Sequence, residues 1–333
     1  MVAIEARGLV KRFGDIEAVA GVDFDVREGE VFGFLGPNGA GKTTTINMLT
    51  GLARPDAGTI RFLGREYTSD VKKAQHLMGV VPDESNLWPE LSGFDNLCFC
   101  GALYGMRGHE RAARARELLD TFGLADAAHR KFAGYSRGMK RKLTIAAGLI
   151  HRPQILFLDE PTTGIDVASA RQIRQLLSGL NKAGTTVFLT THYIEEAERL
   201  CDRIAFIVGG KLAQVDTLAH LIRDVQGQRV IELALSRALE GLGPQVLMEF
   251  MGPLREAFPG VEFESAGGAA LRAHTRETLA LAPVVRFFED RGVDVTEAKA
   301  IRPSLEDVFV RVTGIAAEQM RREKERGPKG GGS

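Results

Sequence analysis

Val31-Phe32-Gly33-Phe34-Leu35-Gly36-Pro37-Asn38-Gly39-Ala40-Gly41-Lys42-Thr43-Thr44 carries the strongest structural signal in the chain. Its first five residues form a short apolar run stopped by Gly36-Pro37, the pattern of a buried strand. Gly36 to Thr43, GPNGAGKT, then fits G-x-x-x-x-G-K-S/T at every fixed position. Glycines let successive backbone N–H groups turn toward one anion without Cβ clashes. The segment from Lys42 to about Thr50 suits a helix, whose N-terminal end adds positive dipole to the same place. Lys42 brings a point charge for the β- and γ-phosphates, and Thr43 a hydroxyl for Mg²⁺. Gly36, Pro37, Asn38, Gly39, Ala40, Gly41, Lys42, Thr43 and Thr44 are therefore the candidate nucleotide contacts.

By itself the loop identifies only a P-loop nucleoside triphosphatase, and the surrounding chain has to narrow it. Ile155-Leu156-Phe157-Leu158-Asp159-Glu160 is a second buried strand, ending in two carboxylates. Ligands of open α/β sheets gather at that end of the strands. Asp159 is the candidate for holding Mg²⁺ through its water shell. Glu160, one residue on, points elsewhere and is the candidate for polarising an attacking water.

Composition removes several other classes. Lys+Arg and Asp+Glu balance at 43 each in 333 residues, which argues against a protein held on nucleic acid by bulk charge. The three cysteines, Cys98, Cys100 and Cys201, are too few for a disulfide framework and fit a reducing compartment. Cys98 and Cys100 lack a second Cys or His pair and read as buried small hydrophobes. No run approaches the about 20 apolar residues of a membrane-spanning helix, so any pore belongs to another chain.

Outward from the loop, Val22, Phe24 and Val26 alternate with polar residues in the period of a half-buried strand. Residues 86–150 read as largely helical. Ile173, Leu176, Leu177 and Leu180 mark one face of an amphipathic helix. Thr186–Thr191 and Arg203–Val208 are further strands, and alternation with helices predicts a mainly parallel α/β sheet. After about Leu221 the order becomes strand 229–235, helix 244–258, strands 261–265 and 269–275, helix 278–291 and strand 293–301, a split βαβ sandwich. Ser304 with Asp307 three residues on is close to a capping box for a last helix. The expected organisation is a nucleotide-binding domain over 1–221 with its helical part at about 86–150, a small α+β accessory domain over 222–315, and a charged, Gly-rich, disordered tail over 316–333.

Tyr135-Ser136-Arg137-Gly138-Met139 carries the reading further. The run YSRGMKRKLTIAAGLIHRPQILFLDEPTTGID, Tyr135 to Asp166, resembles the signature motif, its helix, the acidic strand and the D-loop of an ABC ATPase. The resemblance covers roughly residues 2–215. It implies that two cassettes dimerise head to tail around two MgATP, each nucleotide lying between one subunit's phosphate loop and the other's signature. Ser136, Arg137 and Gly138 then face the partner's nucleotide, and Asp166 lies at the dimer interface. His192 matches the family's switch histidine, expected beside the γ-phosphate, and Phe13 the ring that covers adenine, where the alternative is a core phenylalanine. Lys42, Glu160 and His192 are the catalytic candidates. The family also implies integral membrane subunits as partners, no nucleic acid, and a peripheral place on the cytoplasmic face of the inner membrane. Trp88 lies after the Q-loop, where the family docks its membrane partner; local burial is the other reading.

Three positions depart from the family. Arg137 stands where the common LSGGQ has glycine, placing a long cation near the nucleotide. Asp83 stands at the Q-loop glutamine and could reach Mg²⁺ or its water by charge. Tyr135 replaces a leucine at a packing position. The ending Ser304-Leu305-Glu306-Asp307-Val308-Phe309 resembles that of bacterial exporters of the daunorubicin-resistance type, which favours export of an unidentified drug, polysaccharide, lipid or ion. A soluble ABC ATPase of ribosomes or DNA is the alternative. One phosphate loop in the chain, and no coiled-coil run between Lys42 and Ser136, weigh against it. A P-loop kinase would lack the signature and the switch histidine.

Overall fold

The computed structural model describes residues 1–226, 229–235, 244–267, 270–275, 279–301 and 304–315. The expected disordered tail at 316–333 lies outside them. The chain divides into two compact units, Met1–Thr217 and the residues from Leu218 onward. The division falls four residues before the change of pattern at Leu221. Helix α7 (Leu218–Gln226) packs with the last helix, α10 (Leu305–Thr313), and so belongs to the second unit.

Two sheets build the first unit. The antiparallel one has the order β2-β1-β4-β5, from β1 (Val2–Phe13), β2 (Ile16–Arg27), β4 (Ala57–Phe62) and β5 (Arg65–Glu66). The other is β10-β9-β3-β8-β7-β6, from β3 (Val31–Leu35), β6 (Met78–Val81), β7 (Ile155–Asp159), β8 (Thr186–Thr191), β9 (Arg203–Val208) and β10 (Lys211–Thr217). It is parallel except for β10, which pairs antiparallel with β9. Strands β3, β7 and β8 are buried at every residue, as apolar runs covered on both faces should be. One core joins the two sheets: Phe24 packs at 5.5 Å on Phe34, Phe34 at 5.5 Å on Phe188, and Phe188 at 5.6 Å on Phe157.

Helix α1 (Lys42–Thr50) follows β3 directly. The region expected to be helical holds α2 (Gly93–Leu103), α3 (Gly108–Thr121) and α4 (Arg137–Gly148). Ser92 Oγ caps α2 by accepting from Asp95 N at 3.1 Å, and Tyr135 is buried and donates to Ala127 O at 2.7 Å, so it packs as a leucine would while satisfying its hydroxyl. Cys98 and Cys100 are half-buried rather than core residues, because α2 turns one flank outward; Cys201 is buried. Helix α5 (Val167–Lys182) buries Ala170, Ile173 and Leu177, and α6 (Ile194–Leu200) follows β8.

The second unit runs β11 (Arg229–Leu235), α8 (Pro244–Ala257), β12 (Glu262–Gly267), β13 (Ala270–Thr275), α9 (Leu281–Glu289) and β14 (Val295–Ile301). Its antiparallel sheet has the order β12-β13-β11-β14, the split βαβ arrangement. Phe287, Phe288 and Val284 of α9 pack with Leu233, Leu271 and Phe263 of the sheet. Ser304 N donates to Asp307 Oδ2 at 2.6 Å, the backbone half of a capping box on α10.

Candidate functional site

The ends of β3, β7 and β8 lie side by side, so their following residues converge. Leu35 is level with Thr191, and Asp159 with Thr190. After β3 the chain turns through Gly36–Gly41 into α1. A Cβ on Gly36 would sit 2.2 Å from Ile207 O, so only glycine lets the loop pass that close to β9. Gly41 occupies the N-cap position of α1 at φ 104, a left-handed conformation with no capping side chain, which leaves the start of the helix open. Pro37, Asn38 and Gly39 form the outer part of the loop, Ala40 is buried, and Thr43 and Thr44 are exposed and half-buried on the first turn.

Lys42 turns back into this loop. It is 6% exposed, and its Nζ donates to Gly36 O at 2.8 Å and Pro37 O at 3.1 Å. The same ammonium lies 3.3 Å from Glu160 Oε1. Glu160 Oε2 is 2.8 Å from His192 Nδ1 and accepts from Thr163 Oγ1 at 3.1 Å. Lys42, Glu160 and His192, drawn from three separate stretches of the sequence, therefore make one buried cluster. Burial pushes the Glu160 carboxyl up, but the His192 hydrogen bond and the Lys42 charge outweigh it and leave it below the usual glutamate value. Glu160 itself holds φ 49, a left-handed backbone unusual for a side-chain-bearing residue. Asp159 is buried and accepts from Thr190 Oγ1, which also receives Glu160 N at 3.2 Å.

Asp83 follows β6 and keeps an open face to solvent. The protein behind it still raises its pKa; Arg141 opposes this, and the Glu160 and Asp159 carboxylates add to it. Ser136, Arg137, Gly138 and Asp166 gather elsewhere. Ser136 caps α4, accepting from Met139 N at 3.3 Å, and Arg137 is exposed. Asp166 caps α5, accepting from Ser169 N at 2.9 Å and Ser169 Oγ at 2.7 Å, and these bonds lower its pKa. A Cβ on Gly138 would lie 2.2 Å from Ser169 Oγ, so signature and D-loop abut. Among the described residues no hydrogen bond or ion pair joins this second group to Lys42, Glu160 or His192. Phe13 is 54% exposed at the tip of the β1–β2 hairpin, with Lys11 Nζ 5.4 Å from its ring, so it is not a core residue. Trp88 is 58% exposed, with its ring edge-on to Phe99 at 6.1 Å, which removes the reading of local burial.

An ATP-binding cassette is matched by residues 19–163, through the family model described as ABC transporter. The daunorubicin resistance ATP-binding protein DrrA3 of Streptomyces coeruleorubidus is 38% identical over 94% of this chain and 96% of its own. The Nod factor export ATP-binding protein I of Rhizobium etli is 36% identical, covering 96% of each chain. The chain belongs to the ATP-binding subunits of ABC transporters. This cassette superposes on a solved dimeric cassette in a post-hydrolysis state bound to ADP and Pi with TM-score 0.59 and 28% identity, covering 65% of this chain and 98% of that one. It is an ATPase subunit, and cassettes of the family form dimers and work with membrane subunits.

Two of the cassette's residues escape a motif reading. Arg141, on α4, is buried, and its guanidinium donates to four backbone carbonyls: Nε to Pro161 at 2.9 Å, Nη2 to Asp159 at 2.5 Å, and Nη1 to Asp83 at 3.0 Å and to Pro82. One side chain thus ties the helix after the signature to the acidic strand and to the segment after β6. In the sequence it sits in Lys140-Arg141-Lys142 and looks like solvated charge. Helical spacing was the available signal, since it shares a face with Gly138, Ile145 and Gly148. Glu196, 3% exposed on α6, accepts from Thr162 Oγ1 at 2.7 Å. A buried acid in an otherwise ordinary acidic first turn has no sequence signal at all.

Proposed function

We propose that two copies of this chain close around two MgATP and drive integral membrane subunits that export a substrate from the cytoplasmic face. One observation carries this: Lys42, Glu160 and His192 form one cluster, while Ser136, Gly138 and Asp166 form another on the same chain. A site that needs both groups is completed by a second copy. Relatives named for daunorubicin resistance and Nod factor export support export, and they weigh against a soluble ATPase of ribosomes or DNA. No helix among the described residues is long and apolar enough to cross a membrane, so a peripheral role beside separate membrane subunits fits. The exposed side chains of Trp88, Phe99 and Leu103 form the surface that would meet them.

In this reading the loop amides and Lys42 hold the phosphates, and phosphate oxygens displace Lys42 from the carbonyls of Gly36 and Pro37. Glu160, ionised at neutral pH, accepts the proton of the attacking water. His192, in the tautomer with its proton on Nδ1, holds that carboxylate in place through Oε2. Thr43 and Asp159, with Asp83 at the edge, offer the hard oxygen donors that suit Mg²⁺, which would neutralise phosphate charge. Phe13 offers an open ring face for adenine, and Arg137 an exposed cation for the partner's nucleotide. The test is Glu160→Gln. It should bind ATP, stop turnover, and change from the mass of one chain to that of two when MgATP is added in size-exclusion with light scattering. Normal hydrolysis, or one-chain mass at saturating MgATP, would overturn the reading.

A further inference from the structure

The chain runs twice past the buried cluster, and the two passes are laced together by side chains. The first pass is Asp159 through Asp166, joining β7 to α5. The second is Thr191 through Glu196, joining β8 to α6. Glu160 meets His192 at 2.8 Å on one rung. Two residues after Glu160, and one helical turn after His192, Thr162 Oγ1 donates to Glu196 Oε1 at 2.7 Å on the next. Between them Thr163 donates to Glu160 Oε2 at 3.1 Å and shares a side-chain hydrogen bond with Tyr193.

Glu196 is costly where it stands. It is almost fully enclosed, no salt bridge reaches it among the described residues, though the Arg174 charge favours its ionised form, and its Oε2 is buried without a hydrogen-bond partner. A leucine or methionine would fill the same space without desolvating a carboxyl. Burial raises its pKa, which the Thr162 and Thr191 hydroxyls oppose. What the acid adds is a directed link to the loop behind Glu160. That loop needs holding: Glu160 sits in a left-handed conformation, and such a backbone persists only where its surroundings over-determine it.

We propose that Glu196 is a positioning residue: its hydrogen bond to Thr162 fixes the loop after Glu160 against the loop carrying His192, so that the Glu160–His192 contact is held ready for ATP turnover. The bond lies one rung away from Glu160 and His192, so it acts on turnover through Glu160. This inference rests on the proposed role of Glu160 in hydrolysis.

The full-length protein tests it through four variants, assayed for steady-state ATPase and for ATP binding. Thr162→Val removes only the hydroxyl and keeps the side-chain shape, so it reports even if Glu196→Leu folds poorly. Thr162→Val and Glu196→Leu should each lower kcat by about 10- to 100-fold, the scale of a displaced catalytic group, with KM for ATP within about twofold. The double variant should be no slower than the worse single one, because both remove the same bond. Glu196→Gln, whose amide oxygen still accepts from Thr162, should recover most of the turnover. Normal kcat in Thr162→Val overturns the proposal, as do multiplicative losses in the double variant, a KM rise matching the kcat loss, or Glu196→Gln as slow as Glu196→Leu. Glu160→Gln in the same assay separates the two readings. If it turns over, the role of Glu160 has failed; if it is inert while Thr162→Val is normal, only the positioning role has failed.

Discussion

Replacing Arg141 by Met should cost the cassette more stability than the loss of any exposed charge. The guanidinium is buried and serves four carbonyls on two segments, Pro82–Asp83 and Asp159–Pro161. Methionine keeps much of the stem volume and removes every donor. Each buried carbonyl left without a partner costs about 1–3 kcal/mol, but the loss is offset by no longer desolvating a cation, the same burial that lowers the Arg141 pKa. Carbonyls at the rim, on Pro82 and Asp83, can also recover water. The net expectation is about 3–5 kcal/mol, the scale for removing one partner from a buried charged network. At roughly 2–4 °C per kcal/mol for a unit of this size, the melting transition of the first unit should fall by about 6–20 °C. Differential scanning calorimetry without nucleotide measures it. Arg141→Lys is the graded control: one ammonium cannot span the fork, so it should fall between Met and the parent. A Met variant melting within about 2 °C of the parent, or a Lys variant equal to it, would refute the idea that the four carbonyls depend on this side chain.

Three further outcomes follow from other residues. Gly36→Ala puts a methyl 2.2 Å from Ile207 O, so the loop must move and ATP affinity, read by nucleotide titration, should fall by about tenfold or more, equivalent to 1.4 kcal/mol. Trp88→Ala removes an exposed side chain, so the melting temperature and the ATPase rate of the isolated subunit should stay put while co-purification with the membrane subunits drops. Glu196→Gln should change how stability responds to pH. The folded-state pKa of Glu196 lies above the ordinary 4.5, so the parent is favoured while the acid is protonated and loses stability as pH rises from 4.5 toward the folded value. The melting temperature of the Gln variant minus that of the parent should therefore be larger at neutral pH than near about pH 4; an unchanged difference would mean that Glu196 ionises as freely folded as unfolded.

The parts of this fold that could be read in advance are the locally encoded ones. The five apolar residues of β3 and of β7 declare buried strands, and α5 declares its inner face by spacing. Strand β1 is harder to read because its pairing slips at Ala6/Leu9 and Leu9/Val10, which breaks the period-two pattern. Its partner β4 and the antiparallel β10 are short or half-buried and leave weak alternation. The half-buried state of Cys98 and Cys100, and the exposure of Phe13, depend on which neighbours arrive from elsewhere in the chain.

The phosphate loop, the acidic strand end and the signature-like run are legible in the chain alone, because each is contiguous and its chemistry is fixed by backbone conformation and residue type within a few positions. It takes the folded chain to show that Lys42 rests on Glu160 and Glu160 on His192, that Arg141 reaches backward to Pro82 and forward to Pro161, and that Glu196 finds Thr162. These contacts join residues tens to more than a hundred positions apart. They exist because β3, β7 and β8 are paired in a register that brings their ends level, and nothing local to any one residue records that pairing.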